Sequence, residues 1–242
     1  MISSVRPSAP LPWRVARLVE SRDESATART LVMQVEGWPG HLAGQHVDVR
    51  LTAEDGYSTQ RSYSIASAQN ADMLELTIQL LPDGEVSSYL VQDFKIGDPI
   101  ELRGPVGGWF VWSPDDEQRV LLIGGGSGVV PLMAMLRARR SAGSSVPFRM
   151  LYSVRTPEDV LYRDELARED NIGFIYTRRT PDGFARRPGR LTSADLPALL
   201  HPPPRVYVCG PTAFVEAVSD LLVLMGYDAM NIRTERFGPS GT

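Results

Sequence analysis

The sequence predicts two domains of different class: an antiparallel β domain over residues 1–112, followed by an α/β domain with a parallel sheet over residues 113–242. In the first part, turn signals separate short stretches of alternating apolar and polar residues, which is typical of an antiparallel barrel or sandwich. In the second part, strand and helix patterns alternate, which indicates a parallel sheet with helices on both faces. The acidic stretch SPDDEQ between them, residues 113–118, is typical of a linker.

The antiparallel part contains strand patterns and a single helix pattern. Turns such as GWPG, AEDGYS and KIGD separate the strands, and the turn PDG precedes the helix pattern VSSYLVQDF at residues 86–94. Taken alone, the segment RSYSIAS fits an ordinary half-buried strand with its tyrosine on one face. The predicted strands cover residues 13–21, 29–37, 45–51, 61–67, 73–81 and 98–104.

The α/β part begins with the apolar strand VLLI, residues 120–123, which runs through glycines into a helix that reaches Leu136. A second helix is expected over residues 156–170, because Thr156 and Pro157 mark a helix start. Further strands are predicted at residues 148–154, 174–179, 206–210 and 230–237, and further helices at residues 193–200 and 212–226.

Composition argues against several functions. The 25 basic and 29 acidic residues give a net charge of −4, so no general basic field points to nucleic acid or to an anionic membrane. The single cysteine, Cys209, allows neither an internal disulfide nor a four-cysteine cluster within this chain. His41, His46 and His201 lack ligand spacing, so no metal site is expected. The N-terminal stretch has no apolar signal region, and we expect a cytoplasmic protein.

The stretch LLIGGGSGVVPLMAML places a strand directly before four glycines and a helix directly after them. Gly126, Ser127, Gly128 and Pro131 have the spacing of a dinucleotide-binding loop, with proline in place of the third glycine. Glycines there permit a tight turn and the close approach of a phosphate, which the amides at the helix start favour. A tight turn without a ligand is the alternative, and the strand-loop-helix setting favours nucleotide binding.

The second strand of the α/β part bears on cofactor choice. A standard NAD site has Asp or Glu at the end of this strand, whereas here the strand ends with Ser153 and Arg155, and Arg163 follows. One charge-assisted hydrogen bond contributes about 1.5 to 3 kcal/mol, so Arg155 could favour a 2′-phosphate. We therefore expect NADPH over NADH. The alternative is a solvated Arg155 and an enzyme that accepts either cofactor.

The stretch VYVCGPTAF also ends a strand in a turn of small residues before a helix. A lone cysteine at such a place is most often a small buried apolar residue. However, the carboxyl ends of parallel strands line the ligand crevice of an open sheet. Cys209, Gly210 and Pro211 are therefore expected near the reactive end of the nucleotide.

Three motifs occur in order: R-S-Y-S at residues 61–64, G-S-G-V-V-P at 126–131 and C-G-P at 209–211. In this order they resemble the ferredoxin-NADP reductase family, and the resemblance runs from about Trp13 to Phe237. It implies an antiparallel β-barrel that binds a flavin, followed by an α/β domain that binds NAD(P)H.

The resemblance also implies roles for individual residues. Arg61 would bind the flavin phosphate, Tyr63 would lie against the isoalloxazine ring, and Ser64 would bond near N5. Amides and hydroxyls of DGEVSS would hold a pyrophosphate, which implies FAD rather than FMN. The implied flavin-binding residues are Arg61, Ser62, Tyr63, Ser64, Ile78, Leu80, Gly84, Val86, Ser87, Ser88 and Phe237. The implied groups near the transfer site are Ser64, Cys209 and Glu235.

As an activity, the resemblance implies hydride transfer from NADPH or NADH to FAD, and then single electrons to a separate ferredoxin or oxygenase component. Two alternatives stay open: a reductase that uses free flavin as a substrate, and an electron-transfer subunit without turnover of its own. Two arginine clusters are expected to be solvated faces, of which one could receive an acidic ferredoxin. They are Arg137, Arg139 and Arg140, and Arg178, Arg179, Arg186 and Arg187.

Overall fold

The computed structural model describes residues 11–53, 55–69 and 72–238 and contains two sheets. The first sheet is antiparallel, with the strand order β4-β3-β6-β1-β2-β5. A bridge between Ile65 and Leu76 joins its two outer strands, so the sheet closes into a barrel. Its strands are β1 (Trp13–Ser25), β2 (Ala28–Val35), β3 (His46–Thr52), β4 (Ser58–Ser64), β5 (Met73–Gln79) and β6 (Pro99–Val106).

The barrel interior is built from alternate residues of its strands. Val47 and Val49 of β3 and Ile100 and Leu102 of β6 are buried, while the residues between them are more exposed. Between β5 and β6 the chain forms the short helix α1 (Glu85–Ser88) and a single π turn at Tyr89–Asp93. The buried side chains of this segment, Val86, Leu90 and Phe94, pack into the barrel core.

The second sheet is parallel, with the strand order β11-β10-β7-β8-β9. Helix α2 (Val129–Ser141) packs on one face and α4 (Thr212–Leu224) on the other. The core on the α2 side continues into barrel-side residues such as Ala66 and Trp112. The two predicted sheet classes and their order along the chain are therefore confirmed. The strands are β7 (Val120–Gly125), β8 (Phe148–Val154), β9 (Ile172–Tyr176), β10 (Arg205–Pro211) and β11 (Ile232–Phe237).

Two predicted helices are wrong. Residues 156–170 form a 3-10 turn at Pro157–Asp159 and the four-residue helix α3 (Arg163–Leu166). The predicted start is present as a capping box between Thr156 and Asp159. The turn does not continue as a helix, because Val160 is extended with a ψ of 113° and Tyr162 has a φ of +54°.

Residues 193–200 likewise form only a 3-10 turn, Ser193–Asp195. Pro197 follows two residues later and has no N–H to continue a helix. Among the described residues, no helix is both long and apolar enough to span a bilayer.

Candidate functional site

Strand β4 has one open edge. It pairs with β3 from Ser58 to Ser64, but it meets β5 only through the bridge at Ile65. Helix α1 contacts β4. An unpaired strand edge presents backbone N–H and C=O groups to a ligand, so the R-S-Y-S segment can offer such groups although the bridge closes the barrel beyond it.

Arg61 and Tyr63 occupy alternate positions of β4 and therefore share one face of the strand. Arg61 is exposed, and among the described residues its guanidinium donates to Thr59 Oγ1 at 3.4 Å and to the carbonyl oxygen of Gln60 at 2.7 Å. Within the described ranges, no carboxylate lies at ion-pair distance from it. Burial raises the pKa of Tyr63 to about 12, although the charge of Arg61 opposes this shift. The neutral Tyr63 ring and the Arg61 guanidinium are thus neighbours on one face of β4. This arrangement suits a ligand with a flat ring and a phosphate.

Ser62 and Ser64 point to the opposite face of β4. Ser62 donates to Asp48 Oδ1 at 2.7 Å, and Asp48 also accepts from Arg103, so this hydroxyl is engaged within the barrel. We therefore leave the side chain of Ser62 out of the proposed site. Ser64 pairs across the ladder with His46.

A contact between the two domains lies beside Ser64. His46 Nδ1 is 3.6 Å from Glu235 Oε1, and Glu235 is paired with Cys209 on the neighbouring strand. Glu235 Oε2 is buried, and no hydrogen-bond donor of the described residues reaches it. Ser64, Cys209 and Glu235 are therefore brought together, and His46 joins them. The sequence signal for His46 was its place in GQHVDV, the strand that pairs with R-S-Y-S.

Cys209 is fully buried, and this burial raises the pKa of its thiol, with a smaller contribution from the charge of Glu235. The thiol is therefore neutral near pH 7 and is not a nucleophile. Phe237 ends β11 opposite Pro211, at the same edge of the sheet, and packs partly buried against the α2-side core. Gly210 and Pro211 lie at this edge as expected for a crevice at strand ends.

The glycine loop turns between β7 and α2 as a 3-10 turn at Gly126–Gly128. Gly126 has a φ of +55°, which favours glycine, and nothing lies within 4 Å of the Cβ position there. At Gly128 a Cβ would lie 2.2 Å from the backbone oxygen of Cys209, so no side chain fits. Ser127 is partly exposed, whereas Pro131 is buried in the first turn of α2.

The end of β8 carries the residues expected to read the adenosine side of the nucleotide. Arg155 is exposed, and no side-chain partner for it occurs in the described part of the chain, whereas Ser153 is only 7% exposed. Arg163 is exposed and donates to the carbonyl oxygen of Pro157. Glu158, which the sequence reasoning missed, pairs with Arg179, and this arginine lowers the pKa of the Glu158 carboxyl to about 2.

Several predicted flavin contacts are engaged in the barrel. The side chains of Ile78 and Val86 are buried in its core, so neither can face a ligand. The Ser87 hydroxyl donates to the Gly84 oxygen at 3.0 Å and accepts from the Leu81 amide at 3.2 Å. We therefore exclude these three side chains from the proposed site. Gly84, Ser88 and Leu80 stay partly exposed.

Two family models match the chain. An oxidoreductase FAD-binding domain matches residues 15–111, and an oxidoreductase NAD-binding domain matches residues 122–220. The first contains β4 with its open edge, and the second contains the glycine loop. The residues present at these places fit the two groups, because the space beside Gly126 is open and Arg61 has no carboxylate partner among the described residues.

A relative of this chain is also an electron-transfer protein by its name, in agreement with the two family models. The chain is 31% identical over 204 residues to the toluate 1,2-dioxygenase electron transfer component of Pseudomonas putida, with 82% of this chain and 59% of that protein covered. The chain thus spans little more than half the length of this relative.

Two solved structures show the same fold. The flavohem-like FAD/NAD-binding domain of nitric oxide dioxygenase from Vibrio cholerae is 26% identical, with a TM-score of 0.81 over 93% of this chain and 99% of that one. A ferredoxin NADP+ reductase from Neisseria gonorrhoeae, with bound FAD and NADP, is 22% identical and has a TM-score of 0.78 over 93% and 98% of the two chains, a likeness of fold alone. With both domain models matched in order, the chain belongs to the ferredoxin-NADP reductase family.

Proposed function

We propose that the protein is a reductase that takes reducing equivalents from NADPH, or from NADH, and delivers electrons one at a time to a separate acceptor. Bound FAD would supply the chemistry, by accepting hydride and releasing single electrons. The observation that carries the proposal is that the half-buried Tyr63 ring shares one face of β4 with the Arg61 guanidinium, which has no carboxylate partner among the described residues.

The residues of the chain would bind and orient. Arg61 neutralises a phosphate, and Tyr63 fixes the plane of a ring lying on β4. Ser64 offers a hydroxyl at the face where the two domains meet, beside the His46–Glu235 contact of 3.6 Å. Cys209 is neutral and small, so it limits the space at the strand end without reacting.

The glycine loop would hold the nucleotide phosphates against the start of α2. We infer a preference for NADPH, because Arg155 is exposed and has no side-chain partner in the described part of the chain. Glu158 is paired with Arg179, so it does not neutralise Arg155, and Arg155 is one of two exposed arginines here, with Arg178, that could meet a 2′-phosphate. We also propose 1–112 and 113–242 as the two domains.

For the acceptor we propose an oxygenase component or a ferredoxin. The support is the relative from Pseudomonas putida, whose name describes an electron transfer component of a dioxygenase. No role in nucleic-acid binding is proposed.

The test is gel filtration of the purified protein with FAD, followed by anaerobic mixing with NADPH and ferricyanide. We expect retained yellow flavin, bleaching on addition of NADPH, and ferricyanide reduction without added flavin. Turnover proportional to added free flavin, with none retained on the column, would indicate a reductase that uses flavin as a substrate. Retained FAD without NADPH oxidation would indicate an electron-transfer subunit. A colourless protein that rebinds no FAD contradicts the proposal.

A further inference from the structure

The arginine cluster at the end of α2 is a solvated face only at Arg140, whose side chain is 49% exposed, whereas the expectation from sequence included Arg137 and Arg139. The side chain of Arg137 is only 15% exposed, and Arg140 pairs with Glu165. Arg139 donates to the carbonyl oxygen of Val146 within the α/β domain. Arg137 alone of these three reaches across to residues of the barrel.

Arg137 binds both domains at once. Its Nε and Nη2 donate to the carboxylate of Glu165, at 3.1 and 2.7 Å, on the α/β side. Its Nη1 donates to the carbonyl oxygen of Ala66 at 2.9 Å and to Glu75 Oε2 at 3.1 Å, on the barrel side. The guanidinium also lies 5.0 Å from the centre of the Tyr162 ring. A planar fork with several donors is suited to holding such partners in one geometry.

Tyr162 adds a second link between the domains. Its hydroxyl donates to Thr77 Oγ1 at 2.5 Å, and its backbone N–H donates to Glu24 Oε2 at 3.0 Å. Glu24 Oε1 also accepts a hydrogen bond from the Thr30 hydroxyl, and the Thr30 and Thr77 hydroxyls are hydrogen-bonded to each other. Tyr162 has a φ of +54°, a backbone conformation that a bulky residue adopts only when its surroundings hold it there.

The elements that Arg137 joins are the ones that carry the two proposed sites. Ala66 comes two residues after Ser64. Its N–H donates to the backbone oxygen of Glu75, at the place where the barrel closes between β4 and β5. Arg137 itself lies on α2, the helix that begins at the glycine loop. One side chain therefore connects the strand proposed to hold the flavin with the helix proposed to hold the nucleotide.

We propose that Arg137 is a positioning residue, which fixes the separation and angle between the flavin and nucleotide sites; this inference rests on the proposed function. Buried ion pairs are weak sources of stability, because desolvation offsets their attraction, and specifying a geometry is their better-attested use. Hydride transfer needs the reacting atoms held within a narrow range, and a misplacement of about 1 Å lowers rates about a hundredfold.

The experiment compares Arg137→Leu with Arg139→Leu, which removes a neighbouring arginine of the same helix whose hydrogen bond stays within one domain. Spin labels at Ile96→Cys on the barrel and Leu224→Cys on the α/β domain report the distance between domains. Both positions are strongly exposed, while Cys209 is 0% exposed and is not labelled. We expect a narrow distance distribution in the FAD-loaded parent and in Arg139→Leu, and a broadened one in Arg137→Leu.

Single-turnover mixing with NADPH supplies the second readout. We expect the rate of flavin bleaching at saturating NADPH to fall about tenfold or more in Arg137→Leu, while the NADPH dissociation constant and FAD retention stay near those of the parent. An unchanged distance distribution, or a broadened one with an unchanged rate, overturns the proposal.

If Arg137→Leu does not fold, Arg137→Lys keeps the charge but loses the planar fork that reaches Glu165, Ala66 and Glu75 together, and smaller changes in the same direction are expected. An unaltered distribution and rate in that variant overturn the proposal. A parent that holds FAD but does not oxidise NADPH would refute the proposed function, while the label distances would still test the link between domains.

Discussion

Two groups of residues differ in how their polar atoms are used. In the first, which comprises the residues of the two proposed cofactor sites and Glu235, Arg61 has no carboxylate partner among the described residues, and no described donor reaches the buried Glu235 Oε2. In the second, around Arg137, Glu165 accepts several hydrogen bonds and Tyr162 is bonded through both its N–H and its hydroxyl. We call these groups the open contact and the saturated contact.

The difference supports the proposed roles of the two contacts. Buried polar groups of a folded protein are normally hydrogen-bonded, and exceptions cluster where a function requires them. In the proposed function, the saturated contact would set the arrangement of the domains, and the open contact would bind the cofactors. Four comparisons test these two roles.

Gly128→Ala is expected to have the largest effect, because the new Cβ would lie 2.2 Å from the backbone oxygen of Cys209 at the open contact. Relieving such an overlap with backbone costs about 3 kcal/mol or more. We expect a clear fall in the free energy of unfolding together with loss of nucleotide binding. Gly189→Ala is the control, since its φ is not in the left-handed region and nothing lies within 4 Å of its Cβ position; equal losses in both variants would contradict the account.

Arg61→Ala removes the guanidinium that we propose binds the flavin phosphate at the open contact. Loss of one charge-assisted bond to a phosphate costs about 1.5 to 3 kcal/mol, which corresponds to a tenfold to hundredfold rise in the FAD dissociation constant. Unfolding in the absence of FAD should stay unchanged, because the guanidinium supports only its own strand. Arg17→Ala, an exposed arginine bonded to the Gly97 oxygen, should bind FAD normally; equal FAD affinity in both variants would sink the role of Arg61.

Arg155→Ala tests the nucleotide end of the open contact. We expect the KM for NADPH to rise about tenfold, because one bond to a 2′-phosphate is lost at an exposed site. NADH lacks this phosphate and is the internal control, so its KM should change little. Equal changes for the two nucleotides would refute the proposed preference.

The smallest expected effect compares one hydroxyl from each contact. Tyr162→Phe removes a hydrogen bond of 2.5 Å to Thr77 and should lower the free energy of unfolding by about 1 kcal/mol. Ser64→Ala should change it by less than about 0.5 kcal/mol, because no side-chain bond of Ser64 occurs in the described ranges. Denaturant titration measures both values, and a larger loss in Ser64→Ala would reverse the comparison.

Much of the fold could be predicted from sequence because it depends on local patterns. The alternation along β3 and β6 and the strand-glycine-helix order at Gly126 required no knowledge of distant contacts. The helix expected over 156–170 failed because burial against the rest of the protein, and the bond from Tyr162 to the barrel, determine that segment. Sequence propensity does not contain this information.

The candidate site divides in the same way. Arg61, Tyr63 and the glycine loop were found from short motifs on single elements. His46 and Arg137 were missed, because their partners, Glu235 and Ala66, lie far away along the chain and meet them only in the folded protein. Ile78 and Val86 were included through the resemblance, and the barrel core contains both side chains. The proposed contact of the Val86 backbone amide is not affected by this burial.

The most direct test of the account is a crystal structure of the protein grown with FAD. The account predicts a flavin ring lying against Tyr63 on the open edge of β4, with its phosphate bonded to Arg61 and the His46–Glu235 contact at the ring edge. FAD bound elsewhere, or Arg61 and Tyr63 facing away from the bound flavin, would contradict it.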